Sequence, residues 1–545
     1  MGTVVQTYPR LNPISDESAA CATRIPRAQD RLGFPRAALL PGNRFASVSW
    51  AAFLLGLLFA LSAQAQAPAR RNPPITSALT LSANHHYFQD GSGKAILLSG
   101  SQTWNTLQDW GTNGTPQPLD FPQFVRFLTD HGHNFTLLWT IETPKFCNLP
   151  VVAGEPPQFT VSPFPWKRTG PGNATDGKPR FDLTQFDDEY FSRVRSRVEA
   201  LDKAGVYAGV YLFTGEFLNL YRCADDGYPF TGANNVNGVD DGYKSGRRGI
   251  GAVSMTAPNA ITRFQDAFVD KMVDTLDDLP NVLWVVSEEA PPQSLWWNRH
   301  LIEHLKAYEA TKPQTHPVGY AAPIGVPDAV IYNSDADWVA PLAQISPASS
   351  CGAAKPACKV NVNDSDHSYF GMWNETPQQN RNFFWENFTS GAGVLFMDPY
   401  TVDYPREDRN HCANPTNGIC TAPDPRWENV RNSMGYILDL SRKVDLARMA
   451  PRDTLSSTGF CLATDSGAAQ YIVYAPAGGS FTVDLSSVPA AHRLSVTWFN
   501  PATGAETNGN VVSGGPPRQS FTPPFAGDAV LLLVDDAKDA SSDRH

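Results

Sequence analysis

The chain of 545 residues is 42% hydrophobic and 11% aromatic, and it carries a formal net charge of -11 at pH 7. This length allows one large domain and a smaller one. The negative charge, together with the lack of a basic stripe, argues against a protein that binds nucleic acids or other polyanions. No internal period is found, which argues against a repeat array.

An apolar segment near the N-terminus predicts export. Residues 46–63 are almost wholly apolar and lead into Ala63-Gln-Ala-Gln-Ala67, small residues typical of a signal-peptidase site. We expect cleavage after Ala65, because Pro68 disfavours the alternative, so residues 1–65 form a leader and the mature protein is secreted or periplasmic. Cleavage would leave no stable membrane partner. The alternative is an uncleaved membrane anchor, for which the apolar run is at the short limit.

Seven cysteines follow the leader, which suits an oxidising compartment. The chain has no CxxC pair, so a zinc site built on cysteine is not expected. The candidate disulfides are Cys351–Cys358 and Cys412–Cys420, which bracket short polar loops, and the less obvious pair Cys147–Cys223, which would leave Cys461 free.

From about residue 95, apolar runs alternate with amphipathic stretches. The apolar runs predict strands at residues 95–100, 134–141, 205–213, 281–287, 317–321, 329–333, 359–363 and 393–397. The amphipathic stretches predict helices at residues 121–131, 183–204, 258–279, 295–311, 339–345, 376–390 and 427–444. Asp182 and Thr376 are the expected caps of two of these helices. The alternation is typical of a (β/α)8 TIM barrel, here over residues 77–448.

Two connections, residues 143–182 and 216–257, are unusually long. Each follows the carboxyl end of a predicted strand and therefore belongs to the active-site face of such a barrel. Both are rich in Gly, Pro, Asn and Asp, which favours irregular loops that form walls or lids of the site.

Beyond about residue 450, short β patterns replace this alternation. Strands are predicted at residues 470–475, 480–484, 494–499 and 529–534, separated by turn signals such as Gly478-Gly479. We expect a small all-β sandwich over residues 450–537.

Two of the predicted barrel strands end in clusters of carboxylates. They are Asn281-Val-Leu-Trp-Val-Val-Ser-Glu-Glu289 and Lys359-Val-Asn-Val-Asn-Asp-Ser-Asp-His367. The carboxyl ends of parallel barrel strands meet on one open face. Two carboxyl groups there can cleave a glycosidic bond, since one protonates the leaving oxygen while the other attacks or activates water. A carbohydrate is therefore the expected substrate.

The region before the first carboxylate cluster resembles a known enzyme family. Tyr87-Phe-Gln-Asp-Gly-Ser-Gly-Lys94 and Leu98-Ser-Gly-Ser-Gln-Thr-Trp-Asn-Thr-Leu-Gln-Asp109 are similar to the opening of apiosidase-like glycoside hydrolases. The resemblance implies a (β/α)8 enzyme related to a large retaining clan. Trp498-Phe-Asn-Pro-Ala-Thr-Gly504 is similar to a module catalogued as a putative collagen-binding domain of a collagenase, which often follows such barrels.

The resemblance also implies catalytic roles. In the wider clan the fourth strand usually ends in Asn-Glu, and that Glu is the acid/base, which corresponds here to Glu289 with Glu288 in place of Asn. Strand alternation likewise places Ser287 and Glu289 on the face toward the barrel axis. The charge of Glu288 would raise the proton affinity of its neighbour.

The nucleophile is left open between two aspartates. The clan's seventh strand usually supplies a Glu, whereas this chain has Asp364 and Asp366, which share strand parity. Asp366 is slightly preferred because it lies deeper in the loop face, and the second aspartate or His367 would orient the attacking group. Residues at other strand ends, together with Glu288 and His367, are expected to bind substrate: Trp104, Asn105, Trp139, Glu142, Glu216, Asp398 and Tyr400.

One motif favours a different chemistry. His300-Leu-Ile-Glu303-His304 matches the H-x-x-E-H pattern of inverted zinc peptidases, in which two histidines one helical turn apart hold zinc and the Glu activates water. The predicted helix lies outside the barrel, away from its mouth, and no third ligand is evident. A solvated helix face is therefore the preferred interpretation.

Together these features predict an exported glycoside hydrolase that acts by a retaining double displacement on plant or other polysaccharides. Such a mechanism needs no metal or organic cofactor. The alternative from another class is a non-catalytic carbohydrate- or matrix-binding protein.

Overall fold

The computed structural model describes residues 72–112, 114–147, 159–220, 223–224, 226–242, 250–342, 359–365, 376–398, 400, 415–416, 419–420, 423–464 and 467–536. The predicted signal segment and three of the seven cysteines that follow the leader, Cys351, Cys358 and Cys412, lie outside these ranges. No helix within them is both long enough and apolar enough to cross a bilayer.

Strands of the first part of the chain build the barrel and its accessory hairpins. They are β1 (Thr80–Leu81), β2 (Phe88–Gln89), β3 (Ala95–Ile96), β4 (Ser99–Gln102), β5 (Asp109–Thr112), β6 (Phe135–Leu138), β7 (Lys145–Phe146), β8 (Phe159–Ser162), β9 (Trp166–Asn173), β10 (Pro179–Phe186), β11 (Tyr207–Tyr211), β12 (Val282–Val285), β13 (Val318–Ala321), β14 (Trp338–Ala340), β15 (Val360–Asp364), β16 (Gly393–Met397), β17 (Pro415–Thr416) and β18 (Ile419–Cys420).

The helices are α1 (Phe121–Asp130), α2 (Asp188–Lys203), α3 (Gly215–Leu220), α4 (Thr262–Leu276), α5 (Leu295–Glu309), α6 (Ala329–Tyr332), α7 (Pro377–Thr389) and α8 (Glu428–Ser441). The expected cap of α7 is confirmed: Thr376 and Gln379 form a reciprocal capping box. Helix α2 instead begins at Asp188, with Asp187 as its cap. The predicted cap, Asp182, lies in β10 and accepts hydrogen bonds from Thr184.

Eight parallel strands form the barrel, in the order β4-β16-β15-β14-β13-β12-β11-β6. The first and last strands meet through Asn134 and Thr136: the Asn134 Oδ1 accepts from the Ser99 amide at 2.9 Å, and the Thr136 Oγ1 donates to the Ser101 carbonyl at 2.9 Å. Gly100 allows this close approach, because a Cβ there would lie 1.9 Å from the Phe135 carbonyl oxygen. The predicted (β/α)8 fold is confirmed.

Two predicted elements around the sixth strand were wrong. Residues 329–333 contain the helical turn α6 instead of a strand, and residues 339–345, predicted as a helix, overlap strand β14. Both elements are very short: β14 is fully buried, and α6 buries Ile331 and Tyr332. An apolar run of this length has no periodicity that separates a strand from a buried helical turn.

The first long connection was also predicted wrongly as irregular. It contains β7 and β8, which form a sheet with β5, and the antiparallel pair β9 and β10. The second long connection begins with α3. A disulfide joins the two connections between Cys147 and Cys223, and Cys461 is a free, buried cysteine, as the third candidate pairing predicted.

The C-terminal strands form two antiparallel sheets. They are β19 (Met449–Pro451), β20 (Cys461–Thr464), β21 (Gln470–Ala475), β22 (Phe481–Val483), β23 (Arg493–Phe499), β24 (Glu506–Asn508), β25 (Val512–Ser513), β26 (Gln519–Phe521) and β27 (Ala529–Asp535). The larger sheet runs β19-β20-β21-β27-β23-β24, with β25 also on β23, and the smaller pairs β22 with β26. Trp498, Phe481 and Phe521 pack between the sheets, which confirms the predicted sandwich.

Candidate active site at the barrel mouth

Carboxylates from three strand ends surround Tyr211, the last residue of β11. The Tyr211 hydroxyl donates a hydrogen bond to Oε2 of Glu288, just beyond β12. Burial, and then the negative charges of Glu288, Asp364 and Glu216, raise the pKa of Tyr211 well above its usual value. The phenol therefore stays protonated and acts as a hydrogen-bond donor to Glu288.

An aromatic stack and an amide continue this cluster to the other predicted strand. The Trp139 ring stacks on the Tyr211 ring with centroids 4.2 Å apart and planes 6° apart. The Trp139 Nε1 donates to Gln102 Oε1 at 3.0 Å, and Gln102 Nε2 donates to Asp364 Oδ2 at 3.4 Å. We call these five residues, Glu288, Tyr211, Trp139, Gln102 and Asp364, the mouth network. All five are buried, and the network joins the ends of β12 and β15.

Strand alternation does not continue past the end of β12. Val285 pairs in register with Tyr211 and so shares its inward face. The alternation predicts the same orientation for Ser287, but the Ser287 Oγ contacts Asn298 Oδ1 of α5 at 2.5 Å, on the helix side of the barrel. The phase has therefore shifted by one residue, and Glu288 occupies the inward position expected for Ser287.

Glu289 lies in a backbone turn that is unusual for a non-glycine residue. Its φ is +37°, in the left-handed region, and its side chain is half-buried. Such a conformation costs about 1–3 kcal/mol and persists only where the surroundings hold it. The Glu289 carbonyl accepts from Asn219 Nδ2 of α3 at 3.2 Å, which is one of the contacts that hold the turn.

The second carboxylate cluster is described up to residue 365. Asp364 is the last residue of β15 and is 5% exposed. Asp366 and His367 lie outside the described residues. The structure thus brings Asp364 into the mouth network, and the choice between the two aspartates stays a prediction.

Glu142 is a buried carboxyl group beyond the end of β6. Its Oε2 accepts hydrogen bonds from the Thr214 amide at 3.1 Å and from the Thr214 hydroxyl at 2.9 Å. Burial raises the pKa of Glu142 to about 7. A carboxyl group in this condition can hold a proton at neutral pH.

Three more predicted residues lie close to this face. Trp104 and Asn105 form a buried 3-10 turn directly after β4, and the Trp104 ring stacks on Trp110 with centroids 5.9 Å apart. Glu216, at the start of α3, is buried, and its amide donates to the Glu288 carbonyl at 2.9 Å. Their predicted contact with substrate remains a prediction.

The structure separates two predicted residues from the mouth network. Asp398 accepts two hydrogen bonds, 2.8 and 2.6 Å long, from the fully buried Arg431 guanidinium of α8. Tyr400 packs against Phe124 and Phe127 of α1. Both therefore join the barrel to its outer helices, and these contacts give no support to their predicted roles in substrate binding.

The histidines of the H-x-x-E-H motif are engaged by carboxylates of the neighbouring helix. His300 Nε2 lies 2.8 Å from Asp266 of α4, and His304 Nε2 lies 2.8 Å from Asp270. Among the described residues, no group of three or more His, Cys, Asp or Glu is arranged to hold a metal ion. The motif thus forms a contact between two outer helices, with both histidines half-buried, instead of the solvated helix face that was predicted.

Sequence reasoning missed Tyr211 and Gln102. Each is the last residue of its barrel strand, and each presents a polar group inside a strand run that is otherwise small or apolar. A buried polar group at the carboxyl end of a barrel strand needs a partner there, and this is the signal that would have identified both.

Comparisons with known proteins agree with this architecture. Residues 454–534 match the family described as the putative collagen-binding domain of a collagenase. A solved structure described as a glycoside hydrolase is 13% identical, with a TM-score of 0.56, and the match covers 85% of this chain and 98% of the other. A glycoside hydrolase family 5 protein from Bacteroides vulgatus is 14% identical, with a TM-score of 0.55 and coverage of 85% and 94%. No curated protein matches the chain. At these identities the likeness shows that the chain has the fold of glycoside hydrolases.

Proposed function

We propose that this protein is an exported glycoside hydrolase that uses carboxyl groups from the ends of β12 and β15. The mouth network carries the proposal, because Tyr211, Trp139 and Gln102 connect Glu288 to Asp364 across one barrel face. Glycoside hydrolysis needs two carboxyl groups that flank the scissile bond. The fold shared with glycoside hydrolases supports the same reaction class.

In this proposal Glu289 is the general acid/base. It lies in a strained turn at the barrel mouth, next to Glu288. The negative charge of Glu288 disfavours ionisation of its neighbour, so Glu289 would keep the proton that the leaving oxygen requires. After the leaving group departs, Glu289 would deprotonate the attacking water.

Asp364 or Asp366 would be the nucleophile of a retaining double displacement. For Asp364, the hydrogen bond from Gln102 orients the carboxylate for attack on the anomeric carbon. A retaining mechanism requires the two carboxyl groups about 5 Å apart. The first product would then have the same anomeric configuration as the substrate, which NMR of the initial product would show.

The finer assignment is to the apiosidase-like group, acting on plant or other polysaccharides. It is supported by the sequence resemblance of residues 98–109, a stretch that supplies Gln102 to the mouth network. Export is supported by the Cys147–Cys223 disulfide, since such bonds persist mainly in oxidising compartments.

A panel of aryl glycosides and plant polysaccharides tests the function. We expect Glu289→Gln to lower kcat about 10²–10⁴-fold on polysaccharides and far less on aryl glycosides with good leaving groups, which need little acid assistance. The nucleophile variant, Asp364→Asn or Asp366→Asn, should lose activity on both substrate types. Azide should restore activity to both kinds of variant. The glycosyl azide formed by Glu289→Gln should retain the anomeric configuration of the substrate, and the one formed by the nucleophile variant should have the inverted configuration.

The same variants separate an enzyme from a binding protein. If the wild-type protein binds a polysaccharide without turnover, and Glu289→Gln binds it equally well, the catalytic proposal is wrong. Wild-type activity in all four variants, Glu288→Gln, Glu289→Gln, Asp364→Asn and Asp366→Asn, would also exclude this site.

A further inference from the structure

We infer that Glu142 is a positioning residue that holds the Glu288–Glu289 turn through the start of α3. The inference rests on the proposed function in one respect, since it takes this turn to be the catalytic one. Glu142 itself is 1% exposed, and both of its side-chain hydrogen bonds come from Thr214. Its effect on the turn must therefore pass through its hydrogen-bonding partner.

The first link is between Glu142 and Thr214. Both the amide and the hydroxyl of Thr214 donate to the same oxygen, Oε2 of Glu142. Two hydrogen bonds to one fixed acceptor restrain the backbone and the side chain of Thr214, and thereby the point at which the chain leaves β11 and enters α3.

The second link joins α3 to the turn through three contacts. The Glu216 amide donates to the Glu288 carbonyl at 2.9 Å, and Asn219 Nδ2 donates to the Glu289 carbonyl at 3.2 Å. Gly215 lies against Ala290, since a Cβ on Gly215 would be 2.6 Å from the Ala290 Cβ. The strained Glu289 backbone is thus held from the side of α3, and Thr214 directly precedes this helix.

The two carboxyl oxygens of Glu142 have different surroundings, and burial raises the pKa of the group to about 7. Within the described part of the chain, its Oε1 has no hydrogen-bond partner, while its Oε2 accepts both hydrogen bonds. The titratable groups that face it are Tyr190 of α2 and Tyr228, and burial raises the pKa of both tyrosines, so they remain uncharged.

A covalent bond restrains the same two connections. The Cys147–Cys223 disulfide joins the segment that follows Glu142 to the segment that follows α3. Glu142 and the disulfide therefore fix these connections at two separate points, so loss of the carboxyl contact should loosen the turn without unfolding the connections.

Hydrogen exchange of the full-length protein tests the inference without any substrate. In Glu142→Leu, amides in residues 214–220 and 286–290 should exchange at least about tenfold faster, while those of the C-terminal sandwich keep their wild-type rates. Glu142→Gln retains an acceptor oxygen and should restore most of the protection. The control is Glu189→Leu, which removes an exposed carboxylate of α2 and should leave both segments unchanged.

Kinetics on an aryl glycoside supply the second readout. We expect Glu142→Leu to lower kcat about 10–100-fold with KM changed less than about threefold, because the turn and not the sugar contacts is disturbed. If Glu142→Leu does not fold, Thr214→Val, which removes the hydroxyl donor to Glu142, decides instead by the same exchange measurement.

The inference would be overturned if the amides of residues 214–220 and 286–290 in Glu142→Leu exchanged at their wild-type rates. Wild-type exchange rates of both segments in Thr214→Val, which lacks the hydroxyl donor to Glu142, would also overturn it. A wild-type protein that hydrolyses no glycoside would refute the proposed function, yet the exchange result would still decide whether Glu142 holds the turn.

Discussion

Tyr211 is the residue through which the carboxylates of the barrel mouth interact. Its hydroxyl bonds Glu288, its ring stacks on Trp139, and the charges of Asp364 and Glu216 act on it. A hydrogen bond from a neutral donor to a buried carboxylate is among the stronger ones in proteins. Tyr211 is therefore the side chain whose loss should most disturb Glu288.

We expect Tyr211→Phe to lower kcat about 10–100-fold, because loss of a hydrogen bond to a charged group costs about 1.5–3 kcal/mol. The ring, and with it the stack on Trp139, is retained. Tyr207→Phe is the matched control, since Tyr207 begins the same strand at the opposite end of the barrel and should leave kcat unchanged. Steady-state kinetics of both variants make the test. An equal loss of kcat in Tyr211→Phe and Tyr207→Phe would refute the role of the Tyr211 hydroxyl.

Glu142 makes stability depend on pH. Its ordinary pKa is 4.5 and burial raises it to about 7, so between these values the folded protein holds a proton that the unfolded chain has lost. Stability should then fall as pH rises through this window, by up to about 3 kcal/mol, and change little from this group outside it. Urea unfolding at pH 5 and pH 8 measures the effect.

In Glu142→Gln this contribution should disappear. The wild type should lose stability relative to Glu142→Gln as the pH rises from 5 to 8. Glu189→Gln, an exposed control, should keep the wild-type slope. A Glu142→Gln slope equal to that of the wild type would show that Glu142 ionises normally in the folded protein.

At the residue scale, the sequence predicted Glu288, Glu289 and Asp364 because acids that follow an apolar strand are rare and visible. Strand alternation predicted Glu289 on the inward face, whereas in the structure Glu288 bonds Tyr211 there. That difference depends on a one-residue phase shift after Val285, and the shift is held by contacts with α3 that lie far away in sequence. Asp398 has the same sequence signal, and only the buried Arg431 shows that its partner lies on the outside.

Two outer helices carry a ladder of ring and carboxylate contacts. On α5 the rings of Trp296, His300, His304 and Tyr308 stack in succession, with centroids 5.1, 6.0 and 6.4 Å apart. Opposite them on α4, carboxylates contact His300, His304 and Tyr308. The spacing of four residues on both helices places each pair one turn apart. The ladder thus explains the H-x-x-E-H motif as helix packing.

The double variant His300→Phe with His304→Phe tests this interpretation. It keeps the stacked rings and removes two hydrogen bonds, so we expect a loss of about 1–3 kcal/mol in unfolding free energy and unchanged glycosidase kcat. A stoichiometric chelator should leave wild-type activity unchanged. The peptidase interpretation would instead be established if a chelator abolished wild-type activity, if zinc restored it, and if the double variant had no such zinc-dependent activity.

At the element scale, long periodic segments were predicted well and short ones were not. Helices α4, α5, α7 and α8 lie within their predicted ranges, because each shows an apolar face over three or more turns. The turn α6 and strand β14 are too short for any period to appear. Strands β7 to β10 were missed because their Gly- and Pro-rich sequences read as loops, although pairing with β5 and with each other orders them.

Over the whole molecule, the C-terminal sandwich is seated on the barrel. One face of its larger sheet packs on α7 and α8, where Trp385 contacts Tyr474 and Phe499. The other face is covered by the pair β22–β26. Among the described residues of the sandwich, no aromatic side chain is exposed. We interpret the face packed on α7 and α8 as a support of the barrel.

The buried ion pair between Arg381 of α7 and Asp528 of the sandwich makes this coupling testable. Their contact is 2.7 Å long, the two side chains are 7% and 3% exposed, and the Tyr474 hydroxyl also donates to Asp528. Removing one partner leaves a buried charge without its counter-ion, which typically costs 3–5 kcal/mol. We expect Asp528→Asn to destabilise the barrel and the sandwich together, in a single transition.

The exposed pair Lys443–Glu506 lies at the edge of the same interface and is the control, since Lys443→Met should change stability by less than about 1 kcal/mol. Calorimetry and hydrogen exchange can follow both variants, because the amides of β12 report on the barrel and those of β23 on the sandwich. If Asp528→Asn unfolds the sandwich at a lower temperature while the barrel keeps its wild-type transition, the two parts fold independently and the sandwich is not a support. A shared, lowered transition is expected instead, because the aromatic contacts of α7 and α8 would be exposed as soon as the sheet leaves them.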